Sequence, residues 1–261
     1  PLYSSAASDV YKRQVHASPD AVKATCFVEG FMPRLIHAPF CPHSRFIRLV
    51  MAEMGMEVEL TEERPWERRA EFLALNPAGL TPVLVEEEAL FVPHADLIAE
   101  YLDETRGLAL GNRRLLPDPP GPRVEVRRLA YWFNHKFFAE VSGPLTLEKI
   151  NKRFMRNEEG GGPPDTASIR AARNNVRYHM QYIGWLVARR NWLAGDELSY
   201  ADLAAAAHLS CVDYLGDVTW NESEGARLWY AKIKSRPSFR ALLAERVAGM
   251  APAATYENLD F

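Results

Sequence analysis

One thiol in this chain stands where it could do chemistry. The run Phe40-Cys41-Pro42-His43-Ser44-Arg45 sets Cys41 directly before a proline. Proline suits the first turn of a helix, because its missing N–H has no intrahelical partner there anyway. A cysteine at that point faces the first-turn N–H groups, which stabilise its thiolate and lower its pKa. His43 and Arg45 are close enough in sequence to add positive potential. The same residue type also serves as a small apolar side chain packed under a helix. Cys-Pro-His-Ser carries a single thiol, which argues against a dithiol redox cycle. A second segment, Asn76-Pro77-Ala78-Gly79-Leu80-Thr81-Pro82-Val83-Leu84, puts Pro82 at the head of a strand, where a lost donor matters least. A fold that joins the two segments makes a thiol-and-peptide site.

The elements that must hold this pair follow from patterning. Arg34 to Ala38 reads as a short strand. Phe46, Leu49, Val50 and Met54 recur at helical spacing up to Gly55, a natural stop. Glu57 to Thr61 alternates like a strand. Glu62 to Leu75 is a charged, short helical stretch. Val83-Leu84-Val85 and Leu90-Phe91-Val92 are strands about an acidic turn at Glu86-Glu87-Glu88, and His94 to Asp103 is a helix. The order is βαβαββα, a compact α/β unit over residues 32–105. Residues 106–122, rich in proline, glycine and arginine, read as a linker. An all-helical unit over 123–250 follows, with helices expected at Val124–Glu140, Ile169–Arg190, Tyr200–Leu215 and Gly225–Ala248. A tail over 251–261 ends the chain. Ser199-Tyr200-Ala201-Asp202 reads as a capping box with a purely structural role.

Bulk properties exclude several classes. Across 261 residues the hydrophobic share is 48% and the formal charge is −3, so no basic excess points to nucleic acid. No apolar run reaches the ~20 residues of a membrane-spanning helix. Three cysteines, Cys26, Cys41 and Cys211, make no disulfide framework and fit a reducing cytoplasm. His135, His179 and His208 sit on helices without metal spacing, so no metal is expected. Residues 1–31 lack any sustained period and are expected to be a non-native or disordered leader, with Met32 as the natural start.

A βαβαββα unit with a thiol at its first helix and a proline opening its third strand resembles the thioredoxin fold. Joined to an all-helical domain, it resembles the cytosolic glutathione S-transferases. The Asn76–Leu84 loop, the Ser199/Asp202 box and Lys232-Ile233-Lys234-Ser235-Arg236-Pro237-Ser238-Phe239 carry that resemblance. It implies a glutathione site built from Phe40, Cys41, Thr81, Pro82, His94 and Ala95, with Pro82 in the cis form. It also implies that the first long helix of the helical domain lines a second-substrate pocket and a homodimer interface. Cys41 is similar to the single cysteine of the omega-like thiol transferases, which form a mixed disulfide with glutathione. The family holds the γ-glutamyl end of glutathione with an acidic residue followed by serine. Here His94-Ala95 takes that place. Losing one charge-assisted hydrogen bond costs about 1.5–3 kcal/mol, roughly 10- to 100-fold in affinity. Asp96 is a candidate replacement carboxylate.

A second resemblance is to a bacterial branch of these proteins implicated in cell division, which binds the tubulin-like protein FtsZ and needs its C-terminal tail. It rests on Glu63-Arg64-Pro65-Trp66-Glu67-Arg68-Arg69, a length near 230 once the leader is set aside, and the terminal Leu259-Asp260-Phe261. Tyr256, Leu259, Asp260 and Phe261 then form either a docking peptide or a strip folded onto the protein's own surface. Trp66 is either part of a partner patch or the glycine-carboxylate end of a glutathione site. The expected function is an FtsZ-binding division factor, degenerate in glutathione use. The alternative is an active glutathione-dependent transferase or thiol transferase that uses Cys41 on a small electrophile or disulfide.

Overall fold

The computed structural model describes residues 32–87 and 90–259. The expected leader with Cys26, Glu88 of the acidic turn, and Asp260 and Phe261 of the tail lie outside the described residues. Strand β1 (Arg34–His37) runs parallel to β2 (Glu59–Glu62) and antiparallel to β3 (Val83–Glu87), and β3 pairs antiparallel with β4 (Leu90–Pro93). The sheet order is β2-β1-β3-β4. Helix α1 (Pro42–Met54) connects β1 to β2 and stops at Gly55, whose φ of 69° lies in the left-handed region that glycine enters freely. Helix α2 (Ala70–Leu75) precedes β3, and α3 (Ala95–Arg106) follows β4.

Two features differ from the pattern. Strand β2 starts at Glu59 rather than Glu57, because pairing begins where the Glu59 N–H donates to the Pro33 carbonyl. It is an edge strand, and Leu60 is exposed. The helix expected over 62–75 is broken. A 3-10 turn at Pro65–Glu67 ends where Arg68 takes a φ of 47°, and α2 starts afresh at Ala70.

The second half is helical, with α4 (Pro120–Tyr131), α5 (Gly143–Lys149), α6 (Thr166–Val187), α7 (Tyr200–Tyr214), α8 (Glu224–Lys234), α9 (Arg240–Ala244) and α10 (Ala254–Glu257). The segment read as a linker holds a 3-10 turn at Gly107–Arg113 and the first residues of α4. Trp132–Ser142 continues α4 as a π-helix, a winding that apolar periodicity does not reveal. The last expected helix divides because Pro237 forces Arg236 into an extended conformation (ψ 145°).

Helix α7 is buried along its entire length. Its run Ala204-Ala205-Ala206-Ala207 has no bulk, so neighbouring helices, α1 among them, pack close against it. One continuous apolar core therefore joins the sheet unit (Leu35, Phe46, Ile98) to the helical unit (Val176, Leu203, Ile233). Polar ties reinforce the seam. Glu53 of α1 accepts from Arg236 at 2.6 and 2.7 Å and from Ser238 at 2.6 Å. The Tyr200 hydroxyl donates to the Ala99 carbonyl at 3.1 Å.

His37, buried at the end of β1, has no partner for Nδ1 among the described residues. Burial, then the charges of Arg48 and Arg45, push its pKa down to about 4 from 6.5. Between those values the unfolded chain takes up a proton that the folded protein refuses. Stability should therefore rise with pH across that window, and be lost as pH falls through it, with a slope on the order of 1 kcal/mol per pH unit. Urea titrations from pH 4 to 7 on wild type and His37→Asn check this. An unchanged slope in the variant would remove His37 as its source.

Candidate functional site

The two segments singled out by their chemistry meet. Cys41 caps α1: its carbonyl accepts from the Arg45 N–H at 3.0 Å, and Pro42 occupies the first helical position. Its thiol donates to the Thr81 carbonyl at 3.7 Å. The Thr81–Pro82 peptide is cis. The loop before it is pinned by Asn76, whose Nδ2 donates to the Leu80 carbonyl at 2.8 Å and whose Oδ1 accepts from the Ala78 N–H at 3.2 Å. Gly79 has a φ of 67°, and a Cβ there would approach Leu73 to 3.1 Å. Loop and helix mouth are thus fixed independently, and Cys41 lies between them.

Burial raises the Cys41 thiol pKa, but the hydrogen bond and charge of His43, with Ser44 and its N–H, more than offset it, and the value falls to about 7. His43 shifts upward in response: burial opposes its charge, and the Cys41 partner, the Asn134 carbonyl and Asp96 favour it. The His43 ring is held from the helical domain, where Nε2 donates to the Asn134 carbonyl at 2.8 Å. Asn134 lies in the π-helix and is buried. Its Nδ2 donates to Asp96 Oδ1 at 2.6 Å, and its Oδ1 faces His208 Nε2 at 3.2 Å. His208 Nδ1 in turn pairs with the Ser142 hydroxyl at 2.7 Å.

The third wall is the start of α3. His94 caps it with a φ of 67°, and its N–H donates to the Pro82 carbonyl at 3.1 Å. The imidazole is exposed, and Ala95 is buried without a hydroxyl to offer. Asp96, the candidate replacement carboxylate, turns the other way. Asn134 and His135 occupy its two oxygens, with His135 Nε2 at 2.8 Å.

Other sequence expectations change in place. Arg45 does not serve Cys41. It is fully buried, stacks on the Phe40 ring at 4.2 Å, and binds Pro39, Ser210, Tyr256 and Glu245. Phe40 itself is buried against Tyr214. Tyr256, read as either a docking anchor or part of a strip folded onto the protein's own surface, is fully buried in that cluster, and its hydroxyl donates to the Leu242 carbonyl at 2.6 Å. Leu259 is 40% exposed. Trp66 is half-buried, and its indole N–H is shielded from solvent without an acceptor among the described residues. Ser199 and Asp202 form the expected box inside the helical domain. His179 and His208, like His135, are satisfied by neighbours. Asn134 escaped notice. Its signal was a lone amide between Phe133 and Phe137 on an otherwise aromatic helix face. Among the described residues, no three metal-ligating side chains converge and no helix is long and apolar enough to cross a membrane. A cavity of about 340 Å³ between Gly111–Asp118 and Ala194–Ser199 includes none of Cys41, Thr81 or His94 in its wall.

Comparison with known proteins agrees with this geometry. Residues 40–105 match the family model for the glutathione S-transferase N-terminal domain. FtsZ-localized protein A of Caulobacter vibrioides is 45% identical over 230 residues, covering 87% of this chain and 97% of that protein. The chain belongs to the glutathione S-transferase superfamily. A glutathione S-transferase structure from Sinorhizobium meliloti superposes with a TM-score of 0.87 at 51% identity, covering 88% of this chain and all of that one. The structure of FzlA from C. crescentus superposes at 0.81 with 44% identity, again covering 88% of this chain and 100% of that one. Within this transferase fold, Cys41 meets Thr81 beside the cis Thr81–Pro82 peptide, the His94 N–H next to Ala95 ties Pro82 to the start of α3, and Tyr256 is part of the scaffold.

Proposed function

We propose that this protein is a transferase-fold cell-division factor that binds FtsZ and has largely lost glutathione use. The observation that carries this reading is the 45% identity to FtsZ-localized protein A along 97% of that protein. The wall at His94-Ala95 supports it, because neither residue supplies the carboxylate or hydroxyl that would hold the γ-glutamyl group, and Asp96 is committed elsewhere. The partner surface comprises the half-buried ring of Trp66 and the end of the tail at Leu259, Asp260 and Phe261. The protein acts in the cytoplasm, is recruited to the division site and pairs with a second copy. The exposed Tyr131, Tyr178 and Trp185 supply apolar area for that pairing.

Co-sedimentation with assembled FtsZ tests the reading. Removing residues 259–261 leaves Tyr256 in place and takes away two apolar anchors. If these are central to the contact, binding should weaken by about 2 kcal/mol, roughly 30-fold. Wild-type protein that stays in the supernatant would overturn the proposal.

Calorimetry against glutathione tests the degenerate wall. The double substitution His94→Glu/Ala95→Ser should gain roughly 10- to 100-fold in affinity over wild type, the worth of a charge-assisted hydrogen bond. Equal affinity in the two proteins would mean the third wall does not set glutathione binding.

A further inference from the structure

We propose that the cavity between the Gly111–Asp118 segment and the loop before α7 binds a short aliphatic diamine. It holds about 340 Å³, within the range of small-molecule sites, about 300–1,000 Å³. Two stretches far apart in sequence build it. Gly111–Asp118 and the first turns of α4 form one side, and Ala194–Ser199 forms the other. The Tyr200 N–H donates to the Leu115 carbonyl at 3.2 Å and ties the two sides together, so the cavity is preformed. Its wall is apolar where the buried Leu115 and Val126 meet the half-buried Leu198 and Ala194. None of Cys41, Thr81, His94, Trp66 or Leu259 lines it, so ligand uptake here is independent of glutathione use and of FtsZ binding.

The charge of the wall selects the ligand. Three exposed carboxylates, Asp118, Asp196 and Glu197, share it with one cation, Arg114. That cation is committed. Its Nε and Nη2 donate to the buried Asp103 at 2.8 and 2.6 Å, and its Nη1 donates to Asp118 Oδ1. Among the described residues, Asp118 Oδ2 accepts no hydrogen bond, Asp196 accepts only from the Asn191 amide at 3.4 Å, and Glu197 forms no ion pair. Both sides of the cavity thus carry carboxylate oxygens with room for a cation. Two helices also start here, and a helix start ordinarily attracts anions through its unsatisfied N–H groups. Neither one does so in this wall. Helix α4 opens with Pro120 and Pro122, which have no N–H. At α7, the Ser199 N–H and hydroxyl are both taken by Asp202 Oδ2.

A molecule with an ammonium group at each end and methylenes between them answers this wall. An ammonium is a compact point charge with three rotatable donors, so it needs no planar, bidentate partner. One ammonium meets Asp118 Oδ2, and the other meets Asp196 and Glu197. The methylenes lie against Leu115, Val126 and Leu198 and leave water as they do so. A monoamine of the same length engages one side only, and a diol engages neither carboxylate side as a charge. Because the ligand bridges two segments held together only in the folded protein, its binding also raises stability.

The test uses the full chain and three probes: putrescine, n-butylamine and butanediol with terminal hydroxyls. Methyl NMR with putrescine should show saturable shifts centred on Leu115, Val126, Ala194 and Leu198. The monoamine should bind about five-fold more weakly, the worth of one exposed ion pair, and the diol should give no saturable shift. Asp196→Asn/Glu197→Gln removes two charges at exposed positions and should weaken putrescine about ten-fold with the fold unchanged. Shifts that do not saturate, shifts centred away from this wall, or equal affinity for putrescine and either other probe would overturn the proposal. So would an unchanged affinity in the double variant. The comparison of the three probes is made on wild type, so it decides alone should the double substitution disturb folding.

Discussion

Asp202→Ala is expected to lower stability by about 4–5 kcal/mol, on the order of 10–15 °C in Tm for a chain of this size. The carboxylate is fully buried at the start of α7 and serves four donors. Oδ1 accepts from the Leu193 N–H at 2.8 Å and from the Trp229 indole N–H at 3.0 Å. Oδ2 accepts from the Ser199 N–H at 3.1 Å and from its hydroxyl at 2.9 Å. Alanine removes the acceptors and leaves the donors. The serine hydroxyl can rotate, but the two backbone N–H groups and the indole cannot turn to water. Each orphaned donor costs about 1–3 kcal/mol, and a small cavity adds to that. Asp202→Asn keeps one oxygen and points an amide at two of the donors, so it should lose roughly half as much. Thermal unfolding followed by circular dichroism separates the three proteins. A drop below about 3 °C for the alanine variant would mean that the box is dispensable.

That box is readable because its two residues are three positions apart in sequence and their partnership is local. The same holds for much of the N-terminal unit. Pro42 and Gly55 bracket α1 for reasons internal to those residues, and Pro82 opens β3. What failed to show has a common physical origin. The break at Arg68 depends on Arg69 reaching the buried Glu63 at 2.5 Å, a contact that residue types along a charged stretch do not specify. The π-helix keeps the apolar face that an α-helix would have, so its altered winding leaves no trace in the period.

The candidate site divides the same way. Cys41 and Pro82 stand out because each backbone requirement is set by the residue itself, while their meeting at Thr81 is what the resemblance implies. Sequence proximity lets both His43 and Arg45 add positive potential at Cys41 and does not rank them. Both are basic, and both follow on the same helix. The ranking is settled by what each meets in the other domain: the Asn134 carbonyl for His43, and a ring of acceptors with Glu245 for Arg45. These contacts span 91 and 200 residues of chain.

Arg45→Met should therefore act on the fold, costing about 3–5 kcal/mol, the range for unmaking a buried charge pair. Its Nε donates to the Pro39 carbonyl at 2.9 Å, Nη1 to Ser210 at 2.8 Å and Tyr256 at 3.3 Å, and Nη2 to Glu245 at 3.0 Å. Methionine fills the volume but answers none of these acceptors. Glu245 retains Arg48, which limits the loss on that side. Tyr256→Phe deletes a single hydroxyl and should cost about 1–2 kcal/mol. The two changes should not add. Once Arg45 is gone, the tyrosine hydroxyl has only the Leu242 carbonyl to bind among the described residues, so the double variant should fall short of the sum by about 1 kcal/mol. Full additivity in urea denaturation would show that guanidinium and phenol are not coupled. The cycle also locates a division within the tail. Lys234 holds the Thr255 carbonyl, and the Asn258 carbonyl at 2.8 Å, so the chain is anchored as far as Asn258. A deletion that starts at Tyr256 removes part of the core and would weaken any partner by unfolding the protein. A deletion that starts at Leu259 removes none of these anchors, and it is the one that tests whether the end of the chain docks elsewhere.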